Sequence, residues 1–165
     1  MSKILVTYAT KQGSTHEVAE EIGTILTERG HEIEIVPVEL CAGPDGYDAV
    51  VFGAPLYMGK LLKPGARFLQ KHRESLAARP LAIFALGPRG LPETRDDAQK
   101  QLDRAIQRSR LTPVSVALFD GVVRPDKLRF PFNRMPAGDW RDWDAIRAWG
   151  SELAPKLAIT APATA

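Results

Sequence analysis

Short apolar runs recur along the chain at lengths typical of β-strands. They are Ile4–Val6, Ile33–Val36, Ala49–Phe52, Leu81–Leu86 and Val114–Phe119. Most of these runs are continuous rather than alternating, which is typical of strands that are covered on both faces. Each run therefore predicts one strand of a buried sheet.

Helical patterns lie between most of these runs. Val18, Ile22 and Leu26 share one face of a predicted helix that ends at Gly30. Three further helices are marked by Phe68 and Leu69, by Leu102 and Ile106, and by Ile146, Trp149 and Leu153. Strands that alternate with helices predict an α/β fold with a parallel sheet and right-handed crossovers.

The link between the second and third strands breaks this alternation. Residues 38–48 contain Gly43, Pro44 and Gly46, which leave little room for a helix. We therefore expect one crossover to be reduced to a loop. In such folds ligands bind at the carboxyl ends of the strands, so the loops after strands one, three, four and five are the places to search for a site.

Composition and charge narrow the class of protein. Of 165 residues, 44% are hydrophobic and 25% are charged, which predicts one globular domain over residues 1–157 followed by a flexible tail at 158–165. The start of the chain lacks the pattern of a signal peptide, and we find no run long enough to span a bilayer. The single cysteine, Cys41, fits a reducing cytoplasm, and a net charge of +2 argues against nucleic-acid binding. We expect a cytoplasmic protein, whose oligomeric state the sequence leaves open.

Thr7-Tyr-Ala-Thr-Lys-Gln-Gly-Ser-Thr15 follows the first strand and leads directly into the first helix. Ser14 and Glu17 have the S-x-x-E spacing of a capping box, so we expect the helix to begin at about Ser14. Free backbone N–H groups at a helix start form an anion site, and Gly13 lets the backbone approach a ligand closely. The side-chain donors in this loop are Thr10, Gln12, Ser14 and Thr15.

The missing motifs indicate which anion this loop would hold. The sequence lacks the G-x-x-x-x-G-K-[ST] motif that binds a nucleoside triphosphate. It also lacks the G-x-G-x-x-G motif that binds a dinucleotide. Hydroxyls and amides without an arginine suit a single phosphate monoester. The loop's own residues leave an alternative open, in which it only caps its own helix.

Other chemical classes are poorly supported. The histidines, His16, His31 and His72, are far apart on predicted helix faces or ends, so we interpret them as solvated residues and predict no metal site. A serine hydrolase is disfavoured because the sequence has no G-x-S-x-G. A phosphoryl receiver needs acidic residues after strand one and an aspartate that ends strand three, where this chain has Tyr8–Thr10 and Gly53–Pro55.

Four segments carry a resemblance to a known family. The T-x-x-G-S-T pattern of 10–15 resembles the phosphate loop of the flavodoxins, and residues 48–59 resemble their third strand and ring-contacting loop. Residues 120–134 and the Asp-Trp-Asp at 142–144 resemble a narrower branch, the flavodoxin-domain (menaquinone-dependent) protoporphyrinogen oxidases, which carry a longer insertion before the last helix. The resemblance covers nearly the whole chain. It implies a flavodoxin-like doubly wound sheet of five parallel strands in the order 2-1-3-4-5.

The same resemblance implies FMN as the cofactor. The residues that would hold its phosphate are Thr10, Lys11, Gln12, Gly13, Ser14 and Thr15. Those beside its ring would be Ala54, Pro55, Leu56, Tyr57, Met58 and Gly59 in a first loop, and Leu86, Gly87, Pro88, Arg89 and Gly90 in a second. Two departures are visible: Gln12 replaces a usual threonine, although its amide can still donate a hydrogen bond, and the second loop lacks the aromatic that covers the ring in electron carriers.

Positive charge near the ring would favour a flavin that accepts electrons. Lys60 follows the first ring loop and Arg89 lies in the second, so a positive field would stabilise the reduced flavin and raise its potential. The alternative is that both side chains are simply solvated.

A basic and aromatic segment follows the fifth strand. Arg124, Lys127 and Arg129 are candidates to bind a substrate or partner, either the carboxylates of a porphyrin or a membrane surface that carries a quinone. The alternative is that Phe130 and Phe132 pack into the core while the charges face water.

We therefore expect an FMN-binding oxidoreductase that passes electrons or hydride between a reduced substrate and a quinone or protein acceptor. The resemblance points to protoporphyrinogen IX dehydrogenation, a step of haem biosynthesis, in the cytoplasm or peripherally at the inner membrane face. No catalytic residue is assigned. The alternatives are a non-catalytic electron carrier and a flavin-free module that works by binding a partner.

Overall fold

The computed structural model describes residues 2–87, 92–127, 129–134 and 137–158, without the side chains of 92–94 and 132. The strands are β1 (Lys3–Tyr8), β2 (Glu32–Pro37), β3 (Ala49–Tyr57), β4 (Lys60–Leu61), β5 (Leu81–Leu86), β6 (Ser115–Phe119), β7 (Val122–Val123) and β8 (Gly138–Asp139). The α-helices are α1 (Ser14–Glu28), α2 (Lys63–Lys71), α3 (Arg73–Ala77), α4 (Pro92–Ser109) and α5 (Trp143–Leu157). Short 3₁₀ turns cover Val38–Leu40, Pro125–Lys127 and Phe132–Arg134.

The five long strands form one parallel sheet in the order β2-β1-β3-β5-β6. This confirms the doubly wound fold and the predicted strand order 2-1-3-4-5. The predicted strands four and five are β5 and β6 of the structure. Two short additions were not predicted. β4 pairs antiparallel with the end of β3, and β7 and β8 form a separate two-stranded ribbon.

The connection from β2 to β3 contains one 3₁₀ turn, Val38–Leu40, and no α-helix. This confirms the reduced crossover. The second predicted helix is divided at His72 into α2 and α3, where the chain leaves helical geometry with φ of −106°.

Each face of the sheet has its own apolar core. Along β1, Ile4 and Val6 pack towards α1 and α5, whereas Leu5 packs with α2, α3 and α4 on the other face. Side chains of a strand alternate between faces, so a strand with both faces covered is apolar throughout. Each fully buried aliphatic side chain stabilises the fold by about 1.5–3 kcal/mol.

The start of α5 lies close to the start of α1 because the two helices pack together. Gly150 allows the approach, since a Cβ there would lie 3.3 Å from Ile25. Asp142 caps α5, and its carboxylate accepts a hydrogen bond from the Ala145 backbone N–H at 3.1 Å. This packing brings the residues just before α5 beside the loop that follows β1.

Candidate functional site

The loop after β1 turns into α1 through a glycine in the left-handed conformation. Gly13 has φ of 85° and precedes the first helical residue, Ser14. The Thr10 hydroxyl oxygen accepts a hydrogen bond from the Gly13 N–H at 2.9 Å, which folds the loop over the helix start. The helix begins at Ser14 as predicted. The predicted capping box does not form. Ser14 lies inside the helix, and the Glu17 carboxylate accepts hydrogen bonds from two arginines instead of from the backbone.

A buried hydroxyl at this helix start has no hydrogen-bond partner. Thr15 is fully buried, and its Oγ1 makes no hydrogen bond within the part of the chain that the structure describes. Leaving a buried polar group unpaired costs about 1–3 kcal/mol. The first backbone N–H groups of a helix also lack intrahelical partners and favour negative charge. The donors at the start of α1 are therefore suited to an anion.

Arg124 holds the loop from the segment that follows β6. Its Nη1 donates to the Gln12 carbonyl at 2.5 Å, its backbone N–H donates to Gln12 Oε1 at 2.7 Å, and its Nη2 donates to Glu17 Oε1 at 2.9 Å. The amide oxygen of Gln12 is thus a structural acceptor. Arg124, which is distant in sequence, thus joins a loop whose own residues include no arginine.

Arg141 holds the same helix start from the other side. Its side chain is 4% exposed, and its Nη1 donates to the Ser14 carbonyl at 3.3 Å. Its Nη2 donates to Asp139 Oδ2 at 2.6 Å and to Glu17 Oε2 at 3.3 Å, while the guanidinium lies 4.8 Å from the centre of the Trp143 ring. The ribbon that carries Asp139 is thereby fixed to α1.

We call Arg124, Arg141, Glu17 and Asp139 the arginine clamp. Hydrogen bonding from Arg124 lowers the pKa of Glu17, and hydrogen bonding from Arg141 lowers the pKa of Asp139. The pKa of Arg141 is raised, chiefly by its hydrogen bond to Asp139. Two cations and two anions give the clamp no net charge, so it fixes the shape of the loop without adding net positive charge to it.

The segment predicted as the first ring loop is largely a strand. Ala54–Tyr57 continue β3, and Leu56 pairs with Leu61 of β4 across a two-residue turn. The turn residues, Met58 and Gly59, have φ of 54° and 80°, as a type I′ hairpin requires. The expectation of a loop over Ala54–Gly59 was wrong for its first four residues, because they continue β3. Only Met58 and Gly59 form a turn, and this turn closes a β-hairpin that has two paired residues in β4.

A cavity of about 200 Å³, which we call the strand-end cavity, opens between these loops. It brings together predicted residues from three segments: Lys11, Gln12, Ser14, Pro55, Leu56, Tyr57, Met58, Leu86 and Gly87. Ala54 is buried in the sheet core, and Gly59 lies against the side chain of Gln101. Pro88, Arg89 and Gly90, which complete the second predicted ring loop, lie outside the described residues.

Four residues that line this cavity were not predicted: Leu62, Gly121, Val122 and Val123. Gly121 follows β6 where the chain passes very close to the end of β5. A Cβ on Gly121 would lie 2.3 Å from the Gly87 carbonyl oxygen, and the Gly87 N–H donates to the Phe119 carbonyl at 2.7 Å. The adjacency of these strand ends in a doubly wound sheet was the signal that could have found them.

The three basic residues predicted as substrate or partner contacts after β6 lie in two different settings. Arg124 belongs to the clamp, whereas Lys127 and Arg129 are exposed and line neither the strand-end cavity nor the larger cavity described below. Phe130 is 68% exposed, with the Arg134 guanidinium 5.0 Å from the centre of its ring, so the alternative in which Phe130 packs into the core is wrong. The Phe132 side chain, like the tail at 159–165, lies outside the described structure.

The histidines are partly buried rather than solvated. His16 bonds through Nδ1 to the Tyr8 hydroxyl at 2.5 Å and through Nε2 to Glu20 at 2.6 Å. His31 bonds to a backbone carbonyl of α5 at 3.0 Å, and burial lowers the pKa of His72. Interpreting all three as solvated was wrong, because each packs against a neighbouring element. Within the described ranges no group of three or more metal-ligating side chains is gathered.

Comparison with known proteins places the chain in a family. The Flavodoxin domain matches residues 5–135. The chain belongs to this flavodoxin-domain family. The protoporphyrinogen IX dehydrogenase (quinone) of Escherichia coli strain K12 is 24% identical over 175 residues, which cover 92% of this chain and 94% of that protein.

Solved structures agree on the fold of this flavodoxin-domain protein. A short-chain flavodoxin associated with a bacterial microcompartment is 18% identical with a TM-score of 0.65, covering 96% of this chain and 100% of the other. Oxidised flavodoxin 1 from Bacillus cereus is 18% identical with a TM-score of 0.63, covering 95% and 100%. Among the residues described, no helix is long and apolar enough to cross a membrane.

Proposed function

We propose that this flavodoxin-domain protein is an FMN-dependent oxidoreductase that passes electrons or hydride from a reduced substrate to a quinone or protein acceptor. The observation that carries the proposal is the buried, unpartnered hydroxyl of Thr15 at the start of α1, beside a glycine turn. Family membership supports a flavin as the ligand, and a single phosphate monoester suits the donors present.

The chain's own residues would hold FMN at two ends. Backbone N–H groups of Ser14 and Thr15, with the hydroxyls of the same two residues, would bind the phosphate, and the arginine clamp keeps that loop in position. The ring would lie in the strand-end cavity against Pro55–Met58 and Gly87. Largely apolar walls exclude water there, and Lys11, whose ammonium lies 3.9 Å from the Tyr57 ring centre, adds positive charge at one side. When bound, FMN supplies the electron-transfer and hydride-transfer chemistry.

Protoporphyrinogen IX is the substrate that the comparisons favour. The Escherichia coli protein named for that reaction matches almost the full length of this chain. A quinone is the acceptor in that protein's name, and we propose the same class of acceptor here. Turnover of protoporphyrinogen with a menaquinone analogue by the holoprotein tests this reaction, since an electron carrier would show none.

The cofactor assignment is tested by removing one hydroxyl. In Thr15→Val the unpartnered Oγ1 is replaced by a methyl group of similar size, so the apoprotein should lose no stability. FMN affinity should fall about tenfold or more, because a hydrogen bond to a charged group contributes about 1.5–3 kcal/mol. Titration of the apoprotein into FMN with fluorescence quenching measures this affinity.

Thr7→Val is the matched control for this titration. Thr7 is also fully buried with an unpartnered Oγ1, but it lies within β1, before the loop. Its replacement should leave FMN affinity unchanged. Equal affinities of wild type and Thr15→Val, or equal losses in the two variants, would contradict the proposed phosphate site.

A further inference from the structure

A second cavity, larger than the strand-end cavity, lies next to it. It has a volume of about 860 Å³ and is bounded by the β3–β4 hairpin and by helices α2 and α4; we call it the basic cavity. Its apolar lining comes from Leu61, Leu62, Ala66, Leu69 and Ala105. A volume of this size is within the range of small-molecule sites.

The charged residues that line the basic cavity are all positive. Its cations are Lys11, Lys60, Lys63, Arg73, Arg108 and Arg110, and among the described residues that line it there is no Asp or Glu. None of the six forms an ion pair with a described carboxylate, although eight such pairs occur elsewhere. The whole chain has a net charge of only +2, so positive charge is concentrated here. Like charges gathered around an apolar surface repel one another and favour a ligand that neutralises them.

The backbone at Arg110 supports a built site. Arg110 has φ of 58° just after the end of α4, a position where glycine is usual. A non-glycine residue costs about 1 kcal/mol or more in this conformation. The chain therefore carries a cationic side chain at the rim of the cavity in spite of the cost.

The basic cavity meets the strand-end cavity at a shared wall. Lys11, Tyr57 and Leu62 line both cavities, with the Lys11 ammonium over the Tyr57 ring at 3.9 Å. A ligand in the basic cavity can thus place its apolar body next to the proposed ring position while its anionic groups reach Lys63 or Arg108.

We propose that the basic cavity binds a small amphipathic polycarboxylate, with its broad apolar body on Leu62 and Ala66 and its carboxylates on the surrounding cations. That this ligand is the substrate of the enzyme rests on the proposed function. The assignment moves the carboxylate site away from the segment after β6, because Arg124 is engaged in the arginine clamp and Lys127 lines neither cavity.

Titration of the holoprotein with protoporphyrin IX, a stable dicarboxylate, tests the proposal through its fluorescence. Lys63→Glu should weaken binding at least tenfold. Lys63 is exposed at the first turn of α2, where an acidic residue is compatible with the helix. Lys127→Glu makes the same charge change in the segment after β6 and should leave binding unchanged. The dimethyl ester of protoporphyrin, which keeps the apolar body without the charges, should bind weakly and equally to all three proteins.

Three results would overturn the proposal. They are an equal loss of protoporphyrin affinity in both variants, a loss of that affinity in Lys127→Glu alone, and tight binding of the dimethyl ester. Flotation with anionic phospholipid vesicles that is lost in Lys63→Glu while protoporphyrin binding persists would instead identify a membrane surface. FMN titrations of the same proteins keep the two proposals separate. Failure of wild type to bind FMN would contradict the proposed function, and the porphyrin titration of the flavin-free protein would then still test this inference. FMN binding without protoporphyrin binding would contradict this inference alone.

Discussion

Replacement of Arg141 by alanine should destabilise the fold markedly at neutral pH. The side chain is almost fully buried and donates to Asp139, Glu17 and the Ser14 carbonyl. Hydrogen bonds to charged groups contribute about 1.5–3 kcal/mol each. The two carboxylates are 46% and 42% exposed and would regain water in the variant, so we discount this sum heavily and expect a loss of about 2–3 kcal/mol in the free energy of unfolding.

The loss in the free energy of unfolding of Arg141→Ala should be larger at pH 7 than at pH 3. In the folded protein the arginines lower the pKa values of Glu17 and Asp139, so the stability that these carboxylates contribute is present above their unfolded pKa values near 4 and is lost as the pH falls through the lowered folded values. The gap between wild type and Arg141→Ala should therefore be full at pH 7 and narrower at pH 3. Glu17 keeps Arg124 in the variant, so the narrowing mainly reports Asp139.

Urea denaturation followed by circular dichroism at both pH values measures these free energies, with Arg147→Ala as the control. Arg147 contacts Glu21 at 2.8 Å and Asp144 at 3.4 Å, but its side chain is 52% exposed. Its removal should cost about 0–1 kcal/mol. A loss in Arg141→Ala that matches the control, or that is the same at pH 7 and pH 3, would refute the stabilising role of the clamp.

Three other changes test the fold around the site. Gly53→Ala would place a Cβ 2.0 Å from the Phe84 ring, so it should cost about 1–3 kcal/mol in urea denaturation, and Phe84→Leu in the same chain should recover part of that; a neutral single variant would contradict this packing. Met58→Asn should stabilise the apoprotein by up to about 1 kcal/mol, because asparagine tolerates the left-handed conformation and Met58 is 71% exposed; an unchanged or lower midpoint would argue against the type I′ turn. Burial lowers the pKa of His72, so stability should fall as the pH drops below about 6.5 in wild type and change less in His72→Gln; parallel pH profiles would exclude this residue as the cause.

The sheet could be predicted from the sequence because its three central strands, β1, β3 and β5, are covered on both faces. Uninterrupted apolar runs such as Leu81–Leu86 occur where α/β packing buries both sides. The reduced crossover was also visible, since glycines and a proline between β2 and β3 disfavour a helix. These are local signals, and each agrees with the global fold.

The site was only partly predictable because its shape depends on contacts between distant segments. The loop residues of the strand-end cavity were named from their pattern, but the arginine clamp joins Arg124 and Arg141 to residues more than 100 positions earlier. The capping box failed for the same reason, because charge-assisted bonds to guanidinium groups outweigh a bond to the backbone. The hairpin at Met58 carries no glycine at its first turn position, so its turn signal was weak.

The arginine clamp also affects when during synthesis the loop after β1 can reach its final conformation. Gln12 receives its partner from Arg124, 112 residues later, and Ser14 receives its partner from Arg141, 127 residues later. A nascent chain therefore exposes the loop early but cannot close it until most of the polypeptide has left the ribosome, since contacts of such sequence separation form late. We therefore expect any ligand of this loop to bind only when synthesis is nearly complete, because a chain that stops before Arg124 would carry the loop without the contacts that hold it.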